Sequence, residues 1–501
     1  MPTLSRLHSL ATIVVLSFVV LPHAASAAAA PRPNIIVIFT DDQGYQDLGC
    51  FGSKTIKTPH LDRMAAGGLM LKGFYAQPVC GVSRAALMTG SYPIRVGEPG
   101  NLKRLHTVPH PQELTMAEVL KSAGYATGII GKWHLCNADK SGLGGYEVAT
   151  MPQAQGFDFF YGTPWYNGAS VEVAGIAFRS PIFRNSEVIV KAVENWDNIT
   201  ADYTREAIAY ITAHREKPFF LYLAHNMPHI PLGASPAFKG KSASGPYGDA
   251  VEEIDWSTGE ILKTLRALGL DENTLVIYTS DNGPWVETTH AMAPTGKAFI
   301  PRDHSGHAEP LRAWKMSAWE GGSRVPFIAR WPGKIPAGGK SDQILTTMDL
   351  LPTFAALAGT TLPASLRIDG VDASEFLIGK SPRSPRTEYL YYTGCLLTGI
   401  RQHQWKLVIP RPAAPPGTGW WGRLIERIAE PQLFDLTADP GETTNLAPRH
   451  PDLVATLSQR LGTDCWVKHE NHTPVGAFKV RGGLTYFEHL LQTGTLPQEV
   501  I

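Results

Sequence analysis

Four short apolar runs, each ending in polar residues, constrain this chain more than any other feature. "NIIVIFT" runs into Asp41 and Asp42, and "GYATGIIG" runs into Lys132 and His134. "KPFFLYLA" leads to His225 and His229, and "NTLVIYTS" leads to Asp281 and Asn282. These runs are β-branched and aromatic with no polar alternation, so they read as strands buried on both faces. Between them lie helical patterns such as "LTMAEVLKSAGY" and "GDAVEEIDWSTGEILKTLRALGL". Strands alternating with helices predict an α/β fold, a large mixed and mostly parallel sheet flanked by helices. Ligands of such sheets bind outside the carboxyl ends of the strands. Each of these polar clusters falls at such an end.

The chain has 501 residues, enough for one large domain and a smaller one. The texture changes after about Ser381. "KSPRSPRTEY" reads as a connector, and "EYLYYTG", "LTGIRQHQWKLVI" and "PQLFDLTADPGETTNL" read as short antiparallel strands with turn signals. The expected division is a catalytic domain over 34–380 and a C-terminal α+β subdomain over 386–501, with "RPAAPPGTGWWG" as a surface loop. Residues 1–27 have the pattern of a signal peptide: Arg6 and His8, an apolar run from Leu10 to Leu21, and the small-residue site Ala25-Ser26-Ala27. The apolar run is shorter than the ~20 residues that span a bilayer. An exported protein is therefore expected, periplasmic or secreted, with no stable membrane anchor. Lys+Arg and Asp+Glu both total 45, which gives no bulk electrostatic reason for a nucleic-acid partner.

The candidate chemistry is local. Asp41-Asp42 and Asp281-Asn282 would bring four oxygen donors to one sheet edge, a set suited to Ca²⁺ or Mg²⁺. Either pair alone is more simply a solvated or helix-capping loop. Lys132 and His134 stand two apart at a strand end, so both should point to one face. With His229 and with Lys315 of "AWKMSAWEGG", they would make an anion pocket fit for a sulfate or phosphate ester. Cys80, in "PVCGVSRAALMTG", should sit at or just before a helix N-terminus, where the dipole favours an anion and lowers a thiol pKa. It reads as a core thiol, half of a disulfide, a nucleophile or a precursor of something else. The five cysteines are Cys50, Cys80, Cys136, Cys395 and Cys465. In an oxidising compartment that odd count leaves at least one unpaired or modified, and up to two bridges among the other four if Cys80 is the special one.

In order along the chain, "NIIVIFTDDQG", "VCGVSRAALMTGSYP", "GYATGIIGKWHL", "HIPL", "SDNG", "WKMSAWEGGSRVPFIARWPG" and "LFDLTADPGETTNLA" resemble the sulfatase family, within the alkaline phosphatase-like superfamily. The resemblance implies a sulfuric ester hydrolase of arylsulfatase type. It implies that Asp41, Asp42, Asp281 and Asn282 hold one Ca²⁺, and that Cys80 is oxidised to Cα-formylglycine, which also contacts the metal. A formylglycine-generating or equivalent maturing enzyme is then a partner. The implied nucleophile is an oxygen of the aldehyde hydrate, which attacks sulfur in line and releases the alcohol. The second hydroxyl then expels sulfate, a route an ordinary serine lacks. Arg84 would orient the hydrate and His134 would take the second hydroxyl proton. Lys132 and Lys315 would hold the sulfate oxygens, and His229 would protonate the leaving oxygen or bind sulfate. The family motif is usually written C-x-P-S-R, and Val82 stands here in place of the proline.

Two other readings share these residues. One is a phosphatase or phosphonate monoester hydrolase of the same superfamily. The other is a non-catalytic protein that binds sulfated glycans with Cys80 left as a thiol. The substrate is expected to be a sulfated small molecule or glycan. Trp165, Tyr166, Trp285, Trp319, Trp420 and Trp421 are sugar or aryl platforms, or core. "NIT" at Asn198 and "NHT" at Asn471 match glycosylation acceptors.

Overall fold

Asn34–Thr40 is a strand buried at every position, and its alternating side chains feed two different cores. Ile35, Val37 and Phe39 pack on one side of the sheet, and Ile36 and Ile38 on the other, as the period of two requires. That explains the continuous apolar run. In this computed structural model, residues 32–96, 109, 113–173, 176–286, 301–394, 396–415 and 425–462 are described. The expected signal peptide lies outside them, as do Cys395, Cys465, Trp420, Trp421 and Asn471.

The large sheet has ten strands. Its order is Glu187–Val190, Ile182–Arg184, Phe159–Gly162, Ala126–Gly131, Phe219–Ala224, Asn34–Thr40, Thr274–Ser280, Phe327–Arg330, Leu69–Leu71 and Gly339–Ser341. The five central strands, from Phe159–Gly162 to Thr274–Ser280, run parallel. Phe327–Arg330 turns antiparallel against Thr274–Ser280. One face is covered by helices Cys80–Thr89, Met116–Ser122 and Leu350–Leu357. The other is covered by Pro59–Ala66, Ile199–Ala213 and Gly245–Ala267. The helix Met116–Ser122 starts with a complete capping box between Thr115 and Glu118, a signal already present in "TMAE".

A second sheet has four antiparallel strands: Glu388–Thr393, Leu396–Gln402, Trp405–Val408 and Gln432–Asp435. Helix Pro451–Arg460 packs on it through Val454 and Leu457. The fold is the expected one, a mostly parallel sheet between helices with a small C-terminal antiparallel sheet. Among the described residues no helix is long and apolar enough to cross a membrane. Asn198 is exposed, at the start of helix Ile199–Ala213.

Candidate active site

Strand register decides which residues meet. Thr40 pairs with Ser280, Phe39 with Ala224, and Ala224 with Gly131. Four strands therefore end at one level, and Asp41, Lys132, His225 and Asp281 leave the sheet side by side. Backbone bonds continue past the edge: Asp281 N–H donates to the Thr40 carbonyl at 3.1 Å, and Lys132 N–H to that of Ala224 at 2.7 Å. Gly131 has φ 117°, and a Cβ there would stand 1.8 Å from the Ala224 carbonyl oxygen. Only glycine allows that close approach, which brings Lys132 against the neighbouring strand. The strand stops at Gly131, so Lys132 and His134 lie beyond it rather than on it. The two-residue alternation expected for them does not apply. His134 is left-handed instead, with φ 63°, and its ring sits 5.5 Å from that of Tyr166.

Cys80 is the first residue of helix Cys80–Thr89, preceded by extended Val79 and closed by left-handed Gly90. The helix reads as the sequence predicts. The thiol does not: burial pushes its pKa up, and this outweighs the lowering by Lys132 and Lys315. The free cysteine is therefore a protonated thiol rather than a ready thiolate. Val82 lies in the first helical turn and packs with Val79, Cys80 and Met316. Arg84 follows one turn on, fully buried. It donates to Asp281 Oδ2 at 2.8 Å, to the Lys132 carbonyl at 3.0 Å and to the Tyr222 hydroxyl at 3.3 Å. Tyr222 is a site residue that the apolar run concealed. Its only sequence signal is a hydroxyl inside "FFLYLA".

The buried charges interlock. Lys132 Nζ lies 2.5 Å from Asp41 Oδ2, and Lys315 Nζ 2.6 Å from Asp42 Oδ1. Asn282 Nδ2 donates to Asp42 Oδ1 at 2.7 Å. His229 Nε2 is 3.6 Å from Asp42 Oδ2, while its Nδ1 lies 2.5 Å from the Ile230 carbonyl oxygen. Burial holds the His229 imidazole below its ordinary pKa against the pull of Asp42 and Asp41. Burial also pushes Asp281 up to about 7, reinforced by Asp41. Asp41 itself is held well below the carboxylate range, because Lys132, His229 and Arg84 outweigh its burial.

Three oxygens stay without a hydrogen-bond partner although fully buried: Asp41 Oδ1, Asp42 Oδ2 and Asn282 Oδ1. Orphaned oxygens of this kind are costly and call for an explanation. A hard divalent cation fits them and the neighbouring Asp281. Ligand atoms of Asp41, Cys80 and Asp281 lie within 4.8 Å of one another, as do those of Asp41, Asp42 and His229. Cys80 thus faces the same acidic cluster. Three carboxylates (Asp41, Asp42, Asp281) stand among three cations (Arg84, Lys132, Lys315), all buried. A dication added to that balanced set leaves it net positive, which suits an anionic substrate.

All ten residues singled out in the sequence come to this one edge of the sheet or the turns beside it. Of the aromatic candidates, Trp319 is buried, Trp165 packs against the core, and Tyr166 is exposed beside His134. Trp285 lies 5.9 Å from the His229 ring, and Lys315 Nζ sits 4.7 Å over its face. Cys50 carries a free thiol, and the Cys136 thiol donates to the Pro164 carbonyl at 3.0 Å. The expected bridges would also involve Cys395 and Cys465, which lie outside the described residues.

The Sulfatase family profile matches residues 33–360. The profile for the C-terminal part of N-sulphoglucosamine sulphohydrolase matches 314–415. Arylsulfatase A of Bos taurus is 38% identical over 453 residues, covering 84% of this chain and 85% of that protein. N-acetylgalactosamine-6-O-sulfatase of Bacteroides thetaiotaomicron is 34% identical over 489 residues, covering 86% and 92%. Among solved structures, the PsFucS1 sulfatase of Pseudoalteromonas sp. superposes with a TM-score of 0.71 at 28% identity, covering 86% of this chain and 89% of that one.

Proposed function

The chain belongs to the sulfatase family and is a sulfate ester hydrolase, and from that premise we propose that it works through a formylglycine made from Cys80 and a Ca²⁺ held by Asp41, Asp42, Asp281 and Asn282. The observation that carries this reading is the set of three buried oxygens without a hydrogen bond, on Asp41, Asp42 and Asn282, in a cluster where Cys80 stands beside Asp41 and Asp281. The chemistry of Cys80 supports it too. Burial favours the protonated thiol, which makes a plain cysteine nucleophile a poor fit. Formylglycine hydrate supplies two hydroxyls on one carbon, one to attack sulfur and one to expel sulfate. The cation adds positive charge where the transferring group gathers negative charge.

The chain's own residues then divide the work. Arg84, bonded to Asp281 and the Lys132 carbonyl, holds the side chain at position 80 in orientation. Lys132 and Lys315 bind sulfate oxygens and stabilise charge in the transition state. His229 gives a proton to the leaving oxygen or binds sulfate, and His134 takes the proton that drives sulfate elimination. The substrate is a sulfated small molecule or glycan, a reading supported by relatives named for aryl and N-acetylgalactosamine sulfates. A maturing enzyme that accepts Val82 makes the formylglycine. The catalytic part spans 34–380 and the C-terminal part 386–501, a division supported by the separate four-stranded sheet that begins at Glu388. Export follows cleavage of a leader over 1–27.

Mass spectrometry of the tryptic peptide Gly73–Arg84 from native protein tests the nucleophile. The expected species is formylglycine or its hydrate. A thiol in fully active protein overturns the reading. Paired aryl sulfate and aryl phosphate assays check the reaction class, and the sulfate should be strongly preferred.

A further inference from the structure

Lys315 is carried by a turn that the local backbone would not adopt by itself. Ala313 and Met316, on either side of it, have φ 59° and 70°. Non-glycine residues avoid this left-handed region because Cβ crowds the following carbonyl oxygen. Such strain persists only where the surroundings over-determine the conformation. The turn closes tightly: Gly321 N–H donates to the Arg312 carbonyl at 2.8 Å. A Cβ on Gly321 would stand 2.2 Å from the Ala313 carbonyl oxygen. The turn also ties two site segments together. Lys315 N–H donates to the Pro284 carbonyl at 3.1 Å, just after Asp281-Asn282, and Met316 N–H donates to that of Pro78 at 2.8 Å, just before Cys80.

What grips both ends of this turn comes from the C-terminal sheet and the loop after it. Glu442 follows strand Gln432–Asp435 and is itself left-handed, with φ 54°. Its Oε2 accepts the Glu320 N–H at 2.8 Å, at the far end of the turn. Its carbonyl accepts Arg312 Nη1 at 3.2 Å, at the near end. Lys406, on strand Trp405–Val408, bridges the two carboxylates, at 2.7 Å from Glu442 Oε1 and 3.1 Å from Glu320 Oε1. The Tyr391 hydroxyl donates to Glu320 Oε1 at 2.5 Å, and that of Tyr75 to Oε2 at 2.6 Å. Glu320 and Lys406 are fully buried and Glu442 is 1% exposed. Stability alone does not require such a cluster, since well-packed apolar residues often replace a buried ion pair without loss. Directed hydrogen bonds to both ends of one strained turn are something apolar residues cannot supply.

We infer that Glu442 and Lys406 are positioning residues that clamp the Arg312–Glu320 turn and aim Lys315 into the catalytic cluster. The C-terminal sheet thereby takes part in the reaction without touching the substrate. The inference rests on the reading above that Lys315 holds the substrate sulfate.

A double-mutant cycle tests it. Glu442→Ala and Lys315→Ala are made singly and together, and kcat/KM for an aryl sulfate is measured with the inhibition constant of inorganic sulfate. Glu442→Ala should lower kcat/KM by roughly 10- to 100-fold, as a misplaced group does, and weaken inhibition by sulfate. In the Lys315→Ala background the same change should cost less than about threefold, because coupled residues are non-additive. Glu442→Gln, which keeps an oxygen for the Glu320 N–H, should recover most of the loss. Equal losses in both backgrounds would overturn the clamp, leaving Glu442 only a folding role. Should Glu442→Ala fail to fold, Lys406→Met enters the same cycle with the same expectations. A Lys315→Ala enzyme with unchanged turnover would overturn the sulfate-binding role of Lys315 and the clamp with it. A damaged Lys315→Ala enzyme with an additive cycle would overturn the clamp alone.

Discussion

Two clusters of buried charge lie on either side of the turn that carries Lys315, and they are built to opposite standards. Around Glu320 and Glu442, Lys406, Arg324, the tyrosines and a backbone N–H meet the carboxylates, and the one oxygen without a hydrogen bond, Glu442 Oε1, lies 2.7 Å from Lys406 Nζ. Lys406, Arg324 and Arg401 hold Glu320 down at about 2 despite its burial. Around Asp41, Asp42 and Asn282, three oxygens have no hydrogen-bond partner at all. The first cluster leaves one oxygen unbonded and sets a lysine directly against it, whereas Arg84 Nη2 and His229 Nε2 stand off from Asp41 Oδ1 and Asp42 Oδ2 at 3.8 and 3.6 Å. The second is complete only with something the chain does not encode as a side chain. A satisfied buried network fixes a geometry, and an unsatisfied one marks where chemistry or a ligand enters.

The largest expected effect removes the reacting atom. Cys80→Ala should lower kcat by about 10⁴-fold or more, with a nearly unchanged melting temperature, because one small buried group is lost. Survival of activity would show that the nucleophile lies elsewhere. A charge lost from the first cluster should act in the reverse sense on stability. Lys406→Met leaves two buried carboxylates facing each other and should cost about 3–5 kcal/mol, read by denaturant unfolding. A loss below about 1 kcal/mol would break the contrast between the clusters.

Calcium sharpens it next. At 100 times its dissociation constant it should stabilise the protein by about 2.7 kcal/mol, and chelation should reverse this in thermal melts. Asp281→Asn should abolish that gain while costing the metal-free protein no more than about 1 kcal/mol. Burial and Asp41 disfavour the Asp281 charge, and Asn keeps an oxygen for the Arg84 guanidinium that donates to Asp281 Oδ2, so relief of one offsets weakening of the other. Full calcium stabilisation of this variant would remove Asp281 from the ligand set.

The last effect, small near neutral pH, concerns His225, buried at the catalytic edge with neither ring nitrogen hydrogen-bonded. Burial lowers its pKa to about 3, against about 6.5 in the unfolded chain. Between those values the unfolded state binds a proton that the folded state refuses. Stability from this group is therefore present above pH 6.5 and falls as pH drops toward 3, by at most about 1.4 kcal/mol per pH unit. His225→Gln should flatten that slope in unfolding measured from pH 4 to 7. An unchanged slope would mean that the imidazole titrates normally.

Much of this was legible in the chain. The continuous burial of "NIIVIFT" and "TLVIYTS" on both faces follows from their lack of polar alternation, and the helix at Cys80 from its run to Gly90. The polar clusters at strand ends located the site before any contact was known. The Cys80 thiol was misjudged, because a helix N-terminus is visible in sequence and complete desolvation is not. Lys132 and His134, at a strand end, were expected to share one face because the left-handed turn at His134 has no glycine to announce it. Tyr222 was hidden because a buried tyrosine reads as core until the guanidinium meeting its hydroxyl is seen.

The sequence by itself therefore determined the fold class, the sheet edge and the residue types gathered there. All of these follow from local periodicity and from the chemistry of the side chains. Tertiary structure alone decided which oxygens stay unpartnered, how far burial moves each proton, and that Glu442 reaches the turn of Lys315 from more than a hundred residues away. Those outcomes depend on long-range distances and exclusion of water, and neither is carried by any short stretch of chain.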